Sequence, residues 1–362
     1  MPAVPEPMRL VEPDGTVAAG AEETLIGLGL DRDDLLDLLR CLAVTRGLDD
    51  ELMALQRQGE LALYPPCRGQ EGVQVGTAAA LGVDDWMVTQ YRDLGAYVWR
   101  GLDPASVAML WRGVTHGPPG MAALRMTPIA IPIGTQALHA VGSAMASTLR
   151  GDGLVTLTYC GDGATSEGDV SEALNMAGVF RAPVVFVVQN NQWAISTPLA
   201  SQTASPSLAH RAIGFGIPGI RVDGNDVLAC LHVTRQAVSR ARDGQGPTLV
   251  EAITYRMGPH TTADDPTRYR DADDDAPWLA RDPLTRFEAL LRERGILHEA
   301  VEESVAAEVA ERRAALRRSV VGRADPSLES AFEHVTGFDD PYLLTQRECL
   351  ADEWARADGG DR

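Results

Sequence analysis

Apolar residues recur at helical spacing near the start of the chain. Asp31 stands just before this pattern, where an aspartate is a favourable N-cap. The pattern predicts a long helix from Asp31 to about Gly59, whose leucines are core residues without a chemical role. The leucines on its apolar side are Leu35, Leu38, Leu39, Leu42, Leu52 and Leu55.

Further along, short apolar runs alternate with helical segments. Small residues over 137–149 are typical of a tightly packed buried helix. Strands separated by helices indicate a parallel sheet with helices on both faces, so the predicted fold class is α/β. The predicted elements of this alternation are a strand over 154–159, a helix over 170–180, and strands over 184–188 and 248–254.

The composition of the two ends predicts how the domain is bounded. Residues 1–22 are rich in Pro, Gly, Ala and Glu without periodicity, which is typical of a loosely ordered arm. Beyond Asp282 the pattern is helical. We therefore predict a flexible arm over 1–30, an α/β domain with its N-terminal helix over 31–282, and a helical extension over 283–362.

Charge and cysteine content exclude several classes of function. The net charge of −19 repels nucleic acid and anionic membranes, and no run of Lys or Arg offsets it. No apolar run approaches the roughly 18 residues of a membrane span, and the N-terminus lacks signal or transit features. Five scattered cysteines without a CxxC pair argue against structural zinc and disulfides. We expect a cytoplasmic protein.

The tripeptide Gly-Asp-Gly occurs twice, and its context separates the two copies. The copy at 151–153 precedes a predicted strand and indicates a tight turn. The copy at 161–163 ends that strand and leads into a helix, where α/β proteins bind anions. Asp162 would repel a bare phosphate, so its position favours a divalent cation between the carboxylate and phosphate oxygens.

The next predicted strand ends in a second oxygen donor. Asn191 follows Asp162 by 29 residues, a spacing that suits one βαβ unit. Two neighbouring strand ends would then offer a carboxylate and an amide to one Mg²⁺ ion. Taken alone, each motif is explained about as well by a structural role as by a metal site. Asp162 would then be a turn aspartate, and the asparagines at 190 and 191 would be a C-capping pair. Together, at this spacing, they favour the metal site.

These motifs resemble the thiamine-diphosphate fingerprint, in which GDG is followed some 30 residues later by NN. The segments GDGATSEGD at 161–169 and NNQWAIS at 190–196 are most similar to alpha subunits of the decarboxylating component of pyruvate and branched-chain 2-oxo acid dehydrogenase complexes. Matching segments span about 30–291. They include RGQE at 68–71, QYRDLG at 90–95, IGTQALHAVGSA at 133–144 and RMGPHTTADDPTRYRD at 256–271.

The resemblance implies a set of cofactor residues. Asp162, Asn191 and the carbonyl of Trp193 would bind Mg²⁺. Ile195 would force the cofactor to bend, and the Ile133 carbonyl would accept from its amino group. His260 and Tyr91 are the implied catalytic residues. The implied thiamine-diphosphate residues are Tyr91, Arg92, Ile133, Gly161, Asp162, Gly163, Ala164, Asn191, Trp193, Ala194, Ile195 and His260.

The segment over 256–270 carries many charged residues around His260, a composition that cannot form a core. We expect a loop whose charged groups gain partners only when the diphosphate binds. Thr261 stands where some relatives are phosphorylated, and the sequence shows only that a hydroxyl is present. The chain departs from the family over 112–126, and it has Leu63 and Tyr64 where several relatives line the acyl pocket with aromatics.

The resemblance also implies the reaction and the partners. The reaction is thiamine-diphosphate-dependent oxidative decarboxylation of a 2-oxo acid, with acyl transfer to the lipoyl group of an acyltransferase component. Such chemistry needs a second carboxylate, which single-chain relatives take from a second α/β domain. Because this chain contains one such domain, we expect an α₂β₂ heterotetramer in which a beta subunit supplies it.

Other functions stay open at this point. A nucleotide- or NAD-binding protein is disfavoured, because no GxGxxG follows a strand and no GxxxxGK[ST] occurs. A non-catalytic cofactor-binding subunit is disfavoured by the intact set of Asp162, Asn191 and His260. Among enzymes of this family, those for branched-chain 2-oxo acids, pyruvate and acetoin all remain candidates.

Overall fold

The computed structural model describes residues 5–115, 117–324, 326–333 and 335–359. These residues form two compact units, one ending at Val320 and one comprising the described residues after it. In the described part of the chain, no helix is both long and apolar enough to cross a membrane.

The first unit is built on a parallel sheet of five strands in the order β1-β2-β3-β7-β6. A short antiparallel pair, β4 with β5, lies outside it. The strands are β1 (Trp86–Val88), β2 (Thr156–Gly161), β3 (Val184–Asn190), β4 (Trp193–Ala194), β5 (Thr197–Pro198), β6 (Gly219–Asp223) and β7 (Thr248–Ile253).

Helices precede, connect and follow the strands. Those of the first unit are α1 (Glu22–Gly27), α2 (Arg32–Arg57), α3 (Glu71–Ala78), α4 (Leu94–Trp99), α5 (Pro104–Arg112), α6 (Thr135–Arg150), α7 (Gly168–Phe180), α8 (Leu199–Gln202), α9 (Leu208–Gly214), α10 (Val227–Arg242), α11 (Ala272–Leu279), α12 (Pro283–Glu293) and α13 (Glu299–Val320). The second unit contains α14 (Pro341–Gly359).

The central strand β3 shows why the sheet is covered on both faces. All seven of its residues are buried. Val185 and Val187 belong to the core that includes residues of α2, α3 and α10, whereas Val184, Phe186 and Val188 pack with α6, α7 and α9. Successive side chains of a strand point to opposite faces, so an unbroken apolar run is buried only between two layers of helices.

The structure confirms the predicted α/β class and the three predicted strands, which correspond to β2, β3 and β7. The helix that begins after Asp31 is α2, and the Asp31 side chain accepts from the N–H groups of Asp33 and Asp34. The helix predicted over 137–149 is α6, but only one face is buried: Ala140 is fully buried and Leu149 is 87% exposed.

The N-terminal segment packs differently from the loosely ordered arm that its composition predicted. Leu10 and Val11 are buried, and their N–H groups donate to Asp226 Oδ2 at 2.7 and 2.8 Å. Met8 forms a bridge with Val222 of the edge strand β6. The first unit also includes α12 and α13, which the sequence analysis placed in the C-terminal extension.

Candidate active site

The carboxyl ends of β2 and β3 border a cavity of about 200 Å³. Open α/β sheets bind ligands at this edge. Every residue that the resemblance assigned to the cofactor lines the cavity: Tyr91, Arg92, Ile133, Gly161, Asp162, Gly163, Ala164, Asn191, Trp193, Ala194, Ile195 and His260. Three lining residues were not assigned to the cofactor, namely Gln90, Glu167 and Arg256.

Asp162 follows β2 and is almost fully buried. Its Oδ2 accepts a hydrogen bond from Gln202 Nε2 at 2.8 Å, whereas Oδ1 is buried without a partner among the described residues. Burial raises the pKa of Asp162, because the charged form loses hydration. A divalent cation beside Oδ1 would satisfy this oxygen and favour the carboxylate.

Asn191 follows the neighbouring strand β3 and lies on the same cavity wall. Its Oδ1 accepts from the Trp193 N–H at 3.3 Å, and its Nδ2 donates to Gln70 Oε1 at 3.1 Å. Within the described residues, no group of three or more His, Cys, Asp or Glu could hold a metal ion. A cation here would therefore need amide, carbonyl, phosphate and water oxygens besides Asp162, which is the ligand pattern of Mg²⁺.

The other Gly-Asp-Gly copy has the turn role that its context predicted. Asp152 is exposed, and its carboxylate accepts from the Leu154 N–H at 3.1 Å and from Arg150 Nε at 2.8 Å. It lies outside the cavity lining. At the copy that lines the cavity, a Cβ on Gly163 would lie 2.7 Å from the Ala194 Cβ, so only glycine lets these two loops approach.

Ile195 has an unusual backbone for a β-branched residue. Its φ is +56°, in the left-handed region, and its side chain is 54% exposed at the cavity. Such a conformation is strained and persists only when the surroundings enforce it. Arg256 Nη2 donates to the Ile195 carbonyl at 2.7 Å and so helps to hold the strained turn. Ile133, at 45% exposure, is a second exposed apolar residue of the lining.

Two buried arginines, Arg92 and Arg256, line the cavity. Arg92 donates to the carbonyls of Pro66 and His260 at 2.7 and 2.8 Å, and Arg256 donates to backbone carbonyls and to Tyr269. Neither forms an ion pair with a carboxylate in the described part of the chain. In a protein of net charge −19, two unneutralised guanidinium groups around one cavity indicate an anion site.

His260 lies between these arginines, with Nδ1 3.1 Å from Arg92 Nη2. Burial, reinforced by Arg92 and Arg256, lowers the pKa of His260 to about 3. Burial, with Arg92 adding to it, lowers the pKa of Arg256 to about 10. Both shifts oppose positive charge, so an anion that enters the cavity relieves them.

The segment over 256–270 is held by contacts within the chain. Asp264 Oδ2 accepts from the His260 N–H at 2.7 Å and from the Tyr269 hydroxyl, and Arg270 pairs with Asp275 at 3.2 Å. The expectation that these charged groups gain partners only from a ligand is therefore wrong for Asp264 and Arg270. Arg256 also has partners within the chain, and those among the described residues are neutral groups, including two backbone carbonyls and the Tyr269 hydroxyl.

The positions that differ from the family lie away from the cavity lining. The Tyr64 side chain is buried and donates to Asp49 Oδ1 at 2.6 Å. In the divergent segment over 112–126, Arg112 pairs with Glu60 at 2.7 Å, and His116 lies outside the described residues. Thr261 lies in the loop beside His260 and is partly exposed.

Comparison with known proteins agrees with this geometry. The family model described as "Dehydrogenase E1 component" matches residues 40–317, most of the chain. This chain belongs to that family. The match confirms the resemblance that the motifs indicated.

Named relatives of this E1 chain are similar over most of their length. The 3-methyl-2-oxobutanoate dehydrogenase subunit alpha of Mycobacterium tuberculosis is 52% identical over 353 residues, covering 98% of this chain and 95% of the relative. The pyruvate dehydrogenase E1 component subunit alpha of Staphylococcus aureus is 44% identical over 297 residues, covering 81% of this chain and 78% of the relative.

Sequence reasoning did not assign three of the residues that line the cavity in this E1 chain. Gln90 and Arg256 stand inside matched segments, so their neighbours Tyr91 and His260 were a usable signal. Glu167 is exposed and stands at the N-cap of α7. Glu167 stands five residues after Asp162 in the matched segment GDGATSEGD, so this segment could have indicated it.

Proposed function

We propose that this chain is the alpha subunit of a branched-chain 2-oxo acid dehydrogenase, which binds thiamine diphosphate and Mg²⁺ at the cavity described above. The observation that supports this most strongly is one cavity lined by two buried arginines and by a buried oxygen of Asp162, for which the described residues provide no carboxylate partner and no hydrogen-bond partner, respectively. The relative with 52% identity is named for 3-methyl-2-oxobutanoate, and this supports a branched-chain substrate. Pyruvate is the second candidate, supported by the relative with 44% identity.

The cavity residues divide into a metal side and an anion side. Asp162, Asn191 and the Trp193 carbonyl would hold Mg²⁺, and Arg92 and Arg256 would bind the diphosphate with charge-assisted hydrogen bonds. Tyr91 and the backbone groups of Gly163 and Ala164 add donors on the same wall. When bound, thiamine diphosphate supplies an electron sink for loss of carbon dioxide from a 2-oxo acid.

The chain's own residues would set the shape of the site and hold a proton in it. Ile195, held by Arg256, would place its exposed apolar side chain against the cofactor, and the Ile133 carbonyl would accept a hydrogen bond from the cofactor's amino group. His260 is neutral while the arginines face no anion, because its pKa is about 3. A bound diphosphate raises that pKa, so His260 can then hold a proton beside the reacting atoms.

We infer that the site is completed by a beta subunit in an α₂β₂ heterotetramer. Apart from Asp162, the carboxylate among the described lining residues is Glu167, which is exposed and stands at a helix N-cap. The cofactor ring that carries the amino group requires a further carboxylate, and the beta subunit would therefore supply it. The exposed side chains of Ile133 and Ile195 support coverage of this rim by another chain. A lipoyl-bearing acyltransferase would take the acyl group.

The test is 2-oxo acid-dependent reduction of an artificial electron acceptor, with saturating thiamine diphosphate and Mg²⁺. The purified chain alone should show only background turnover, because it lacks the second carboxylate. Adding its beta subunit should start turnover, with kcat/KM at least about tenfold higher for 3-methyl-2-oxobutanoate than for pyruvate, the size expected when one or two methyl groups enter an apolar pocket.

Either of two results would contradict this proposal. Substantial turnover by the alpha chain alone refutes the shared site. A kcat/KM that favours pyruvate refutes the substrate assignment and leaves the shared site standing. Acetoin serves as a third substrate in the same assay, and preference for it would place the chain with acetoin dehydrogenases.

A further inference from the structure

Gln202 donates a hydrogen bond to the proposed metal carboxylate, Asp162, although it stands 40 residues away in the sequence and outside every motif. It is the last residue of α8, a four-residue helix that follows the β4–β5 pair. Its Nε2 donates to Asp162 Oδ2 at 2.8 Å and lies 3.3 Å from the Thr197 carbonyl. The amide therefore ties the carboxylate to the loop that carries Trp193.

Asp162 and Gln202, which this hydrogen bond joins, each keep one buried oxygen without a partner in the described part of the chain. The two oxygens are Asp162 Oδ1 and Gln202 Oε1. The Gln202 oxygen lies 3.9 Å from the position of a Cβ on Gly163, so it stands next to the backbone that lines the cavity. Buried acceptors without partners are unfavourable, and a cation with its bound water satisfies such oxygens.

We propose that Gln202 is a positioning residue for Mg²⁺, an assignment that rests on the proposed function. Its amide N–H fixes Oδ2 of Asp162, which leaves Oδ1 as the oxygen that binds the metal. Its own Oε1 is placed to accept a hydrogen bond from a metal-bound water. Partners of this kind orient ligating carboxylates, and their loss commonly weakens metal binding tenfold to a hundredfold.

The test uses the full-length chain assembled with its beta subunit, with Mn²⁺ as the probe in place of Mg²⁺. Both ions prefer carboxylate, carbonyl and water oxygens. Free Mn²⁺ is measured by electron paramagnetic resonance in the presence of thiamine diphosphate. The variant Gln202→Met keeps the side-chain length but removes the donor and the acceptor. Ser201→Ala is the matched control, because Ser201 is exposed on the same short helix.

Gln202→Met should raise the Mn²⁺ dissociation constant about tenfold to a hundredfold. Its thiamine-diphosphate affinity should fall at low Mg²⁺ and return to the wild-type value when Mg²⁺ is raised about a hundredfold, with thermal unfolding little changed. Ser201→Ala should match the wild type throughout. This recovery separates a metal-positioning role from a purely structural one.

Two outcomes overturn the assignment while the proposed function stands. One is a wild-type Mn²⁺ dissociation constant in Gln202→Met. The other is a loss of cofactor affinity that no Mg²⁺ concentration restores, which indicates a role in folding the loop. Absence of Mn²⁺ binding by the wild-type assembly overturns the proposed function itself, and this assignment with it.

Discussion

At the scale of single residues, the cavity combines groups that are unfavourable in isolation. Ile195 has a strained backbone, and among the described residues Arg92 and Arg256 have no carboxylate partner and one buried oxygen of Asp162 has no hydrogen-bond partner. Such features concentrate at functional sites, where a ligand supplies the missing interactions. The resemblance located the residues inside its motifs. It could not locate Gln202, because only the folded loop brings that amide to Asp162.

The protonation of His260 can be tested by measuring proton uptake when the cofactor binds. A histidine is ordinarily half-protonated near pH 6.5, whereas His260 titrates at about pH 3 between Arg92 and Arg256. The unfolded chain therefore binds the extra proton first, so His260 lowers the stability of the free protein as pH falls from about 6.5 towards 3. A diphosphate raises its pKa, and binding near pH 6 should take up a proton.

Titration calorimetry in two buffers of different ionisation enthalpy measures that uptake. At pH 6, His260→Gln should take up fewer protons on binding thiamine diphosphate with Mg²⁺ than the wild type does. His298→Gln is the control, because His298 is exposed and lies outside the cavity lining. Equal uptake in the wild type and His260→Gln would show that His260 stays neutral beside the diphosphate.

Among the elements, the strands that the sequence predicted are the buried strands in the middle of the sheet. β2, β3 and β7 are almost entirely buried, and their β-branched residues identify them. The two strands of the five-stranded sheet that the sequence did not predict, β1 and β6, lie at its edges. β1 has only three residues, and β6 reads GIRVD with its first three residues partly or fully exposed. Neither carries enough periodicity to be recognised.

The N-terminal segment was misjudged for a related reason. Its composition is typical of disorder, yet contacts with residues far along the chain, including the carboxylate of Asp226, hold it in place. Asp226 is both the N-cap of α10 and the acceptor for the Leu10 and Val11 N–H groups. A composition argument examines only the segment itself and has no access to a partner more than 200 residues away.

Because Asp226 has both roles, we predict that its removal lowers the free energy of unfolding more than removal of the helix cap Asp31 does. Asp226→Ala should lower the free energy of unfolding by roughly 2–5 kcal/mol, since it removes a cap and leaves two buried N–H groups without an acceptor. Asp31→Ala, at the exposed cap of α2, should cost only about 1 kcal/mol. Urea unfolding measures both. Equal losses would mean that Asp226 contributes nothing to holding the N-terminal segment.

At the scale of the whole molecule, the charge distribution is the informative feature. The chain carries a net charge of −19, yet the cavity at the end of β2 and β3 concentrates unneutralised Arg92 and Arg256. Net charge alone argued against nucleic acid as a partner but gave no sign of this pair of arginines. Only the fold brings together residues that lie 164 positions apart in the sequence.

We propose that thiamine diphosphate binds through Mg²⁺ at the cavity, and not at the other Gly-Asp-Gly turn. Asp162 and Asp152 sit in the same tripeptide, and only Asp162 is buried at the cavity. The most direct measurement is calorimetric titration of thiamine diphosphate, with Mg²⁺, into assemblies of beta subunit with wild-type, Asp162→Ala or Asp152→Ala chain. Asp162→Ala should abolish Mg²⁺-dependent binding while the assembly remains folded, and Asp152→Ala should bind nearly as the wild type does. Equal losses in the two variants, or undiminished binding in Asp162→Ala, would contradict the account.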